Sequence, residues 1–396
     1  MKSGNSLFAP VRLVFYILIF LFCSIISGWG QVCLSGDIVF ATQAEVDRFA
    51  QNYPGCSIIG GGVIIESGED HPIYDLQGLS QIAHIEGYLE VRNNKELLSL
   101  DGLNNLQQVD GRLTISGNTM LTSLAGLSHL KSIAESVRIS SNSSLKSIDI
   151  FDKVLVIRGD LSIYYNNSLT KIVGFDDLIE IDGNVIIREN AVLSNLDGLQ
   201  KLRKIRQDLL IQENNLLRDL SGFIQLQEIG QDFIVDNNAS FTNLKGVEDL
   251  HTVGRYLQVV NNERLQSMTG LDSVQKIGGL LQIYNNPLLE TLEGLNKIDK
   301  ESIDNLAIID CPRLADCAVN SICEFLGEYS EKHSISKNKS GCNTRDEILF
   351  ECDRNGNSSG GASEVIRFYP NPTFGIVSIE GFSQDAENKK KKKKKK

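Results

Sequence analysis

A 24-residue repeat is the feature that most limits the folds open to this chain of 396 residues. Nine consecutive blocks follow one another without an insertion, and they begin at Tyr88, Arg112, Ser136, Asp160, Asn184, Asp208, Asp232, Tyr256 and Leu280. The first block reads YLEVRNNKELLSLDGLNNLQQVDG, and an earlier, longer copy lies around Gly62 to Gly87. A fixed period of this kind predicts stacked units that bury a shared core.

Each block has the pattern of a short strand followed by an irregular return. Two apolar residues, such as Leu89 and Val91, alternate with polar neighbours, which is typical of a strand with one buried face. Apolar residues then come at steps of three, and glycine interrupts them in eight of nine blocks, which disfavours a regular helix. We therefore predict a mainly β fold, a parallel β solenoid of about ten 24-residue coils. A horseshoe with a helix on its convex side is the alternative.

One asparagine recurs at the same place in every block. An amide both donates and accepts, so it can pair the backbone groups of a buried turn and of the coil beside it. We interpret these residues as a structural ladder at an inward corner and not as ligand-binding residues: Asn94, Asn118, Asn142, Asn166, Asn190, Asn214, Asn238, Asn262 and Asn286.

Residues 1–30 are predicted to be a signal peptide. Lys2 and Arg12 precede the apolar run Leu13–Ile26, and small residues follow that run. An uncleaved anchor is the alternative, but the run is shorter than the roughly 20 residues that cross a bilayer. We expect no transmembrane segment once the signal is removed, and a secreted or outer-surface location.

Export permits disulfide bonds, and the cysteines that remain after Cys23 leaves all lie outside the nine blocks. Residues 31–61 are predicted to form an N-terminal cap, with a helix from Gln43 to Tyr53. The solenoid is expected at 62–310 and a cysteine-rich C-terminal cap at 311–352, with a helix from Ala318 to Tyr329. The cysteines predicted to form disulfides are Cys33, Cys56, Cys317, Cys323, Cys342 and Cys352. Cys311 is left odd, and the pairing among the five C-terminal cysteines stays open.

Charge and motifs exclude several classes of function. Without residues 1–30 and the terminal lysine run, 29 basic residues face 50 acidic ones, a formal charge of −21. Such an acidic body makes nucleic acid an unsuitable partner. The five histidines occupy unrelated repeat positions, and no metal, nucleotide or nucleophile motif is present. We predict that the protein is not an enzyme and uses no cofactor or metal.

The remaining candidate site is the outward face of the strands. Most residues predicted to point outward are polar, but Ile186, Leu210 and Ile234 are aliphatic and fall on adjacent rungs. Contiguous apolar surface marks binding sites, although a covering cap or linker segment is an equal alternative. The candidate ligand face comprises Tyr164, Tyr165, Ile186, Arg188, Leu210, Gln212, Ile234, Asp236, Val260 and Tyr284.

The motif L-x-I-x-x-N-x-x-L-x-x-L, with an entry such as Asp182-Gly183-Asn184-Val185-Ile186-Ile187, resembles the receptor L-domain. That domain is the leucine-rich-repeat-related ligand-binding module of growth-factor and insulin-type receptors. The resemblance covers about Ile58 to Leu314 and implies the solenoid fold. It carries no signalling role to this chain.

The C-terminal region carries a second resemblance. After a flexible linker at 353–363, the sequence Phe368-Tyr369-Pro370-Asn371-Pro372-Thr373-x-Gly375-x-Val377-x-Ile379 closely resembles the opening of the C-terminal sorting domain of the type IX secretion system of Bacteroidota. It implies a truncated sorting domain at 364–388 and the type IX export machinery as a partner, if the full sorting domain exists. We interpret the lysine run at 389–396 as a sequence artefact.

Together these features predict a secreted or cell-surface, non-catalytic binding protein that recognises a protein or glycan through its solenoid face. A structural surface or adhesin stalk without a specific ligand is the alternative, and it predicts a uniformly polar face.

Overall fold

The computed structural model describes residues 32–356 and two further strands, Arg367–Pro370 and Val377–Glu380, which pair antiparallel. The predicted signal peptide, most of the predicted linker and the lysine run lie outside the described residues.

One parallel sheet of thirteen strands runs the length of the solenoid and is called the long sheet here. Each coil contributes one strand, and between neighbouring blocks the register advances by 24 residues, as in the pair Val185 and Leu209. Its strands are Ile38–Phe40, Val63–Ile65, Leu89–Arg92, Leu113–Ser116, Val137–Ser140, Leu161–Tyr164, Val185–Arg188, Leu209–Gln212, Phe233–Asp236, Leu257–Val260, Leu280–Tyr284, Asn305–Ile309 and His333–Ser336. The predicted parallel β solenoid is confirmed.

The returning part of each coil forms shorter sheets. A five-stranded sheet contains Val32–Leu34, Ile58–Ile59, His84–Ile85, Gln108–Val109 and Ser132–Ile133. A six-stranded sheet contains Val156–Ile157, Glu180–Ile181, Lys204–Ile205, Glu228–Ile229, Thr252–Val253 and Lys276–Ile277, and a two-stranded sheet contains Ser147–Ile148 and Lys171–Ile172. Single 3-10 turns lie at Gln77–Leu79, Ala125–Leu127, Asp197–Leu199, Ser221–Phe223 and Lys300–Ser302. Within the described coils, these 3-10 turns occupy the positions at which the alternative horseshoe fold would have an α-helix.

The recurring glycine is explained by the spacing between coils. Gly102 has a φ of 112°, and a Cβ atom added there would lie 2.0 Å from the carbonyl oxygen of Leu76 in the preceding coil. The block without this glycine has Ile150 and Phe151 instead, and Phe151 stacks on Phe175 with ring centroids 5.0 Å apart. The shorter sheets are interrupted at the same coil, between Ser132–Ile133 and Val156–Ile157.

The core is a column of aliphatic side chains inside the coils. One coil supplies seven side chains that are at most 1% exposed: Leu89, Val91, Leu97, Leu100, Leu103, Leu106 and Val109. Burying each such side chain contributes about 1.5–3 kcal/mol relative to leaving it exposed. Because a coil encloses them only when it is stacked on others, the stabilisation belongs to the whole column.

Helical caps close both ends of the column. The N-terminal helix, Gln43–Asn52, begins at a capping box between Thr42 and Glu45 and buries Val46 and Phe49. At the other end, the first C-terminal helix is Asn320–Glu328, slightly shorter than the predicted Ala318–Tyr329. A second C-terminal helix, Arg345–Arg354, was not predicted; it buries only Ile348 and Cys352, so its sequence carries little apolar periodicity.

Three disulfides fasten these caps, and they include all six cysteines predicted to be bonded. Cys33 pairs with Cys56, Cys317 with Cys342, and Cys323 with Cys352. The last bond ties the two C-terminal helices together. No helix among the described residues is long and apolar enough to cross a membrane.

Candidate functional site

The outward face of the long sheet presents two rows of side chains. In each central strand the first and third residues are buried, as are Val185 and Ile187, while the second and fourth residues face outward, as do Ile186 and Arg188. Parallel strands lie about 4.8 Å apart, so each row repeats at that spacing along the solenoid. The structure thus places the predicted outward residues on one continuous face.

The three aliphatic rungs are neighbours in this face. Ile186 is in register with Leu210, and Leu210 with Ile234. Their side chains point outward from the sheet and are half-buried. Side chains on the two flanking strands cover part of each aliphatic side chain. The three side chains together form a partly exposed apolar strip.

An aromatic cluster with one arginine borders this strip. The rings of Tyr164 and Tyr165 meet edge to face with centroids 5.5 Å apart. The guanidinium of Arg188 lies over both rings, 5.1 Å from the Tyr164 centroid and 5.4 Å from the Tyr165 centroid. Such cation–π contacts hold a flexible side chain in place. We call Tyr164, Tyr165, Ile186, Arg188, Leu210 and Ile234 the central patch.

Tyr165 stands at the corner that follows each long-sheet strand, where the backbone is left-handed in every block from Asn93 to Asn285. Its φ is 58°, in the left-handed region that costs a non-glycine residue about 1–2 kcal/mol. The side chain is nevertheless 41% exposed, so this cost is not offset by burial in the core. A hydrogen bond to Glu189 raises the pKa of the Tyr165 hydroxyl above its ordinary value.

The two ends of the outward face differ from its centre. Towards the N-terminus, ion pairs join charged side chains: Arg112 contacts Glu90 at 2.7 Å, and Arg92 contacts Glu66 at 3.0 Å. Towards the C-terminus, Gln212, Asp236, Val260 and Tyr284 continue the outer row, and Tyr284 is 37% exposed. The face is therefore charged at one end, apolar and aromatic in the middle, and rich in amides at the other end.

The asparagine ladder lies on the inner side of the corner that follows each long-sheet strand. All nine ladder asparagines are fully buried. The Nδ2 of Asn190 donates to the carbonyl oxygens of Ile163 and Arg188, each at 3.0 Å, and its Oδ1 accepts from the backbone N–H of Asn166 at 3.1 Å. Each amide thereby serves its own turn and the adjoining coil.

The ladder continues past the positions that the 24-residue period identifies. The backbone N–H of Ser67 donates to Asn94 Oδ1 at the N-terminal end. At the other end Cys311 occupies the next ladder position, its backbone N–H donates to Asn338 Oδ1, and Asn338 Nδ2 donates to the carbonyl of Ile308. Burial raises the pKa of the Cys311 thiol to about 11. The odd cysteine is therefore a ladder residue.

A second polar ladder, which the sequence analysis did not identify, lies at the entry of the central strands. Asp160 Oδ1 accepts from the backbone N–H of Asn184 at 2.8 Å, and the same link recurs from Asn184 to Asp208 and from Asp208 to Asp232. The signal was present, because these residues begin four consecutive blocks. Arg255 pairs with Asp232 through two hydrogen bonds.

One histidine forms a close contact with a carboxylate among the described residues. His84 contacts Asp110 at 2.8 Å, a single pair on the opposite side of the coil from the long sheet. Among residues 32–356, no group of three or more histidine, cysteine, aspartate or glutamate side chains is placed to hold a metal ion.

Comparison with known proteins supports the fold. The family model for the receptor L domain matches residues 55–122, which cover the first coils of the solenoid. Neither the curated proteins nor the solved structures give a match. The parallel solenoid and this match together define a receptor L-domain-like fold. The match suggests a ligand-binding, receptor-type domain.

Proposed function

We propose that this protein is a secreted or cell-surface, non-catalytic binding protein that recognises a protein or glycan through the outward face of its long sheet. The central patch is the observation that carries this proposal. It combines a contiguous aliphatic strip with two tyrosines and an arginine, residue types that dominate the energy of binding interfaces.

The alternative of a structural stalk fits the face less well. A stalk needs only a solvated surface, whereas the central patch exposes the ring of Tyr165 beside a strip of three half-buried aliphatic side chains. The charged N-terminal rungs show that the same sheet can be fully polar. The apolar and aromatic rungs therefore favour a specific ligand.

The location rests on the disulfides and on the terminal sequences. Three disulfides suit an oxidising compartment outside the cytosol. The signal-like N-terminus supports export, and the Phe368–Ile379 motif supports the type IX machinery of Bacteroidota as the exporter if the full sorting domain exists.

A triple variant tests the proposed function. Replacing Ile186, Leu210 and Ile234 with Thr keeps β-branched or strand-compatible side chains but removes apolar area that a ligand would bury. Immobilised protein lacking residues 1–30 should capture a partner from native outer-membrane and extracellular material, and the triple variant should lose it while melting near the parent temperature.

A matched control replaces three aliphatic residues off the long sheet, Leu98, Leu155 and Ile179, which are 52%, 57% and 42% exposed. Converting these to Thr should leave capture intact. Loss of capture with the control set, or retention with the test set, would contradict the proposal.

A further inference from the structure

A row of outward asparagines lies at the C-terminal end of the same face. Asn237, Asn261 and Asn285 each directly precede a ladder asparagine, and all three have left-handed φ values between 51° and 56°. We call them the amide corner. Together with Glu263 and Pro287 they line an open pocket of about 360 Å³.

The side chains of the amide corner form a directed hydrogen-bond chain. Asn285 Nδ2 donates to Asn261 Oδ1 at 2.8 Å, and Asn261 Nδ2 donates to Asp236 Oδ1 at 2.8 Å. Each of these two amides keeps one further N–H donor, and Asn237 makes no side-chain hydrogen bond within the described part of the chain. The chain fixes the amides while leaving donors and acceptors free.

The backbone of the corner is already satisfied. The N–H groups of Asn237, Asn261 and Asn285 donate to the carbonyl oxygens of Val260, Tyr284 and Ile309 on the next strands. The corner conformation alone explains why asparagine is tolerated there. It does not explain the chain from Asn285 through Asn261 to Asp236, since other coils place Gly117, Ser141 or Glu213 at the same corner. Asn93 repeats only the last link, because its Nδ2 donates to Glu66 Oε1 at 2.8 Å.

We infer that the amide corner and Tyr284 form a subsite for a neutral, linear glycan. This inference rests on the proposed function and assigns a ligand class to one end of its face. Amides and the carboxylate of Asp236 match hydroxyl groups, which both donate and accept. The exposed ring of Tyr284, directly before Asn285, offers a flat apolar surface for a sugar ring.

The charge of the residues around the pocket favours a neutral glycan over an anionic one. The pocket lining holds one acid, Glu263, and no base, and Asp236 lies beside it. The excess of acidic residues over the body of the chain adds a repulsive field for anions. Because the corner repeats at the strand spacing of about 4.8 Å, a linear polymer along the solenoid axis meets successive amides.

Electrophoresis through gels that contain a soluble polysaccharide tests the inference on the chain lacking residues 1–30. The probes are hydroxyethylcellulose, glucomannan and xylan as neutral glycans, and polygalacturonate as the anionic one. We expect at least one neutral glycan to retard the protein and polygalacturonate not to do so. Equal or stronger retardation by polygalacturonate, or none by any neutral glycan, overturns the inference.

Two kinds of variant localise the subsite. Asn261→Gly and Asn285→Gly keep a residue that accepts the left-handed corner and should each weaken retardation about three- to tenfold, the equivalent of one hydrogen bond. Asn261→Asp replaces the amide donors with acceptors and tests the same contact should a glycine variant fold poorly. Asn93→Gly, at the same corner near the N-terminal end, is the matched control and should bind as the parent does.

Failure of this inference can be distinguished from failure of the proposed function. Loss of glycan binding in the Asn261 and Asn285 variants, with capture through the central patch unchanged, supports a distinct subsite. If all corner variants bind glycan like the parent, the inference fails, while the triple-threonine experiment still decides the proposed function.

Discussion

At the residue scale, the solenoid depends on polar side chains that serve two coils at once. Asn190 has hydrogen-bond partners in the coils on both sides of its own, so one amide links three successive coils. The sequence made this predictable because the asparagine recurs with a strict period. The roles of Cys311 and Asn338 could not be predicted from the period. Cys311 follows Asn286 by 25 residues, and Asn338 follows Cys311 by 27, so neither spacing is 24.

Replacing Asn190 with Ala should lower the free energy of unfolding by about 1–3 kcal/mol, because buried backbone carbonyls lose their donor. Chemical denaturation measures this change. Asn167→Ala is the control, since that side chain is exposed and makes no hydrogen bond within the described residues; it should shift the unfolding free energy by less than about 0.5 kcal/mol. Equal stability of the two variants would contradict the ladder's role.

Cys311 should be almost inert in the folded protein. Burial raises the pKa of its thiol to about 11, so the reactive thiolate is scarce at pH 8 and the sulfur is also shielded. Iodoacetamide should label the folded chain lacking residues 1–30 very slowly at pH 8, and one thiol should react rapidly after denaturation. Rapid labelling of the folded chain at pH 8 would show that Cys311 is accessible.

At the element scale, the caps use the same kind of hydrogen bond between neighbouring coils, but with different residues. Asp37, in the N-terminal cap, accepts a hydrogen bond from the backbone N–H of Gly62 at 2.6 Å and another from the Tyr88 hydroxyl at 2.9 Å. It thereby makes at the N-terminal cap the same kind of strand-entry contact that Asp160, Asn184 and Asp208 make in the central coils. The capping helices were partly predictable from amphipathic pattern, but this contact joins residues 51 apart and has no local signal.

The two hydrogen bonds hold the pKa of Asp37 below its ordinary value of 3.8. Because the folded-state pKa is lower than the unfolded one, the carboxylate stabilises the fold above about pH 4, and this contribution disappears as the pH falls through the folded-state pKa. Asp37→Asn should therefore be less stable than the parent at pH 7 and approach it in acid.

Urea denaturation from pH 7 down to pH 2.5 measures this convergence. Asp70→Asn, which changes an exposed carboxylate without an internal partner among the described residues, is the control and should track the parent more closely at neutral pH. A constant difference between Asp37→Asn and the parent across the range would contradict the assigned role.

At the scale of the whole molecule, the core repeats the same apolar positions from coil to coil, whereas the outward face of the long sheet changes in composition along the solenoid. The period fixes which residues point inwards, and so the long sheet and its outward rows followed from the sequence. The period cannot specify how Arg188 lies over Tyr164 and Tyr165, because those contacts cross coils and depend on side-chain conformation. The difference between charged, apolar and amide-rich segments is therefore the feature on which we base the proposal of a binding protein over a stalk.

The central claim is that a ligand covers the outward face of the long sheet, and hydroxyl-radical footprinting with the captured partner tests it most directly. Oxidation of Tyr164, Tyr165, Ile186, Leu210 and Ile234 should fall when the partner is bound, while Leu98, Met120 and Leu155, exposed elsewhere on the solenoid, should be oxidised as before. Protection at Leu98, Met120 and Leu155 with unchanged oxidation of the central patch would contradict the claim.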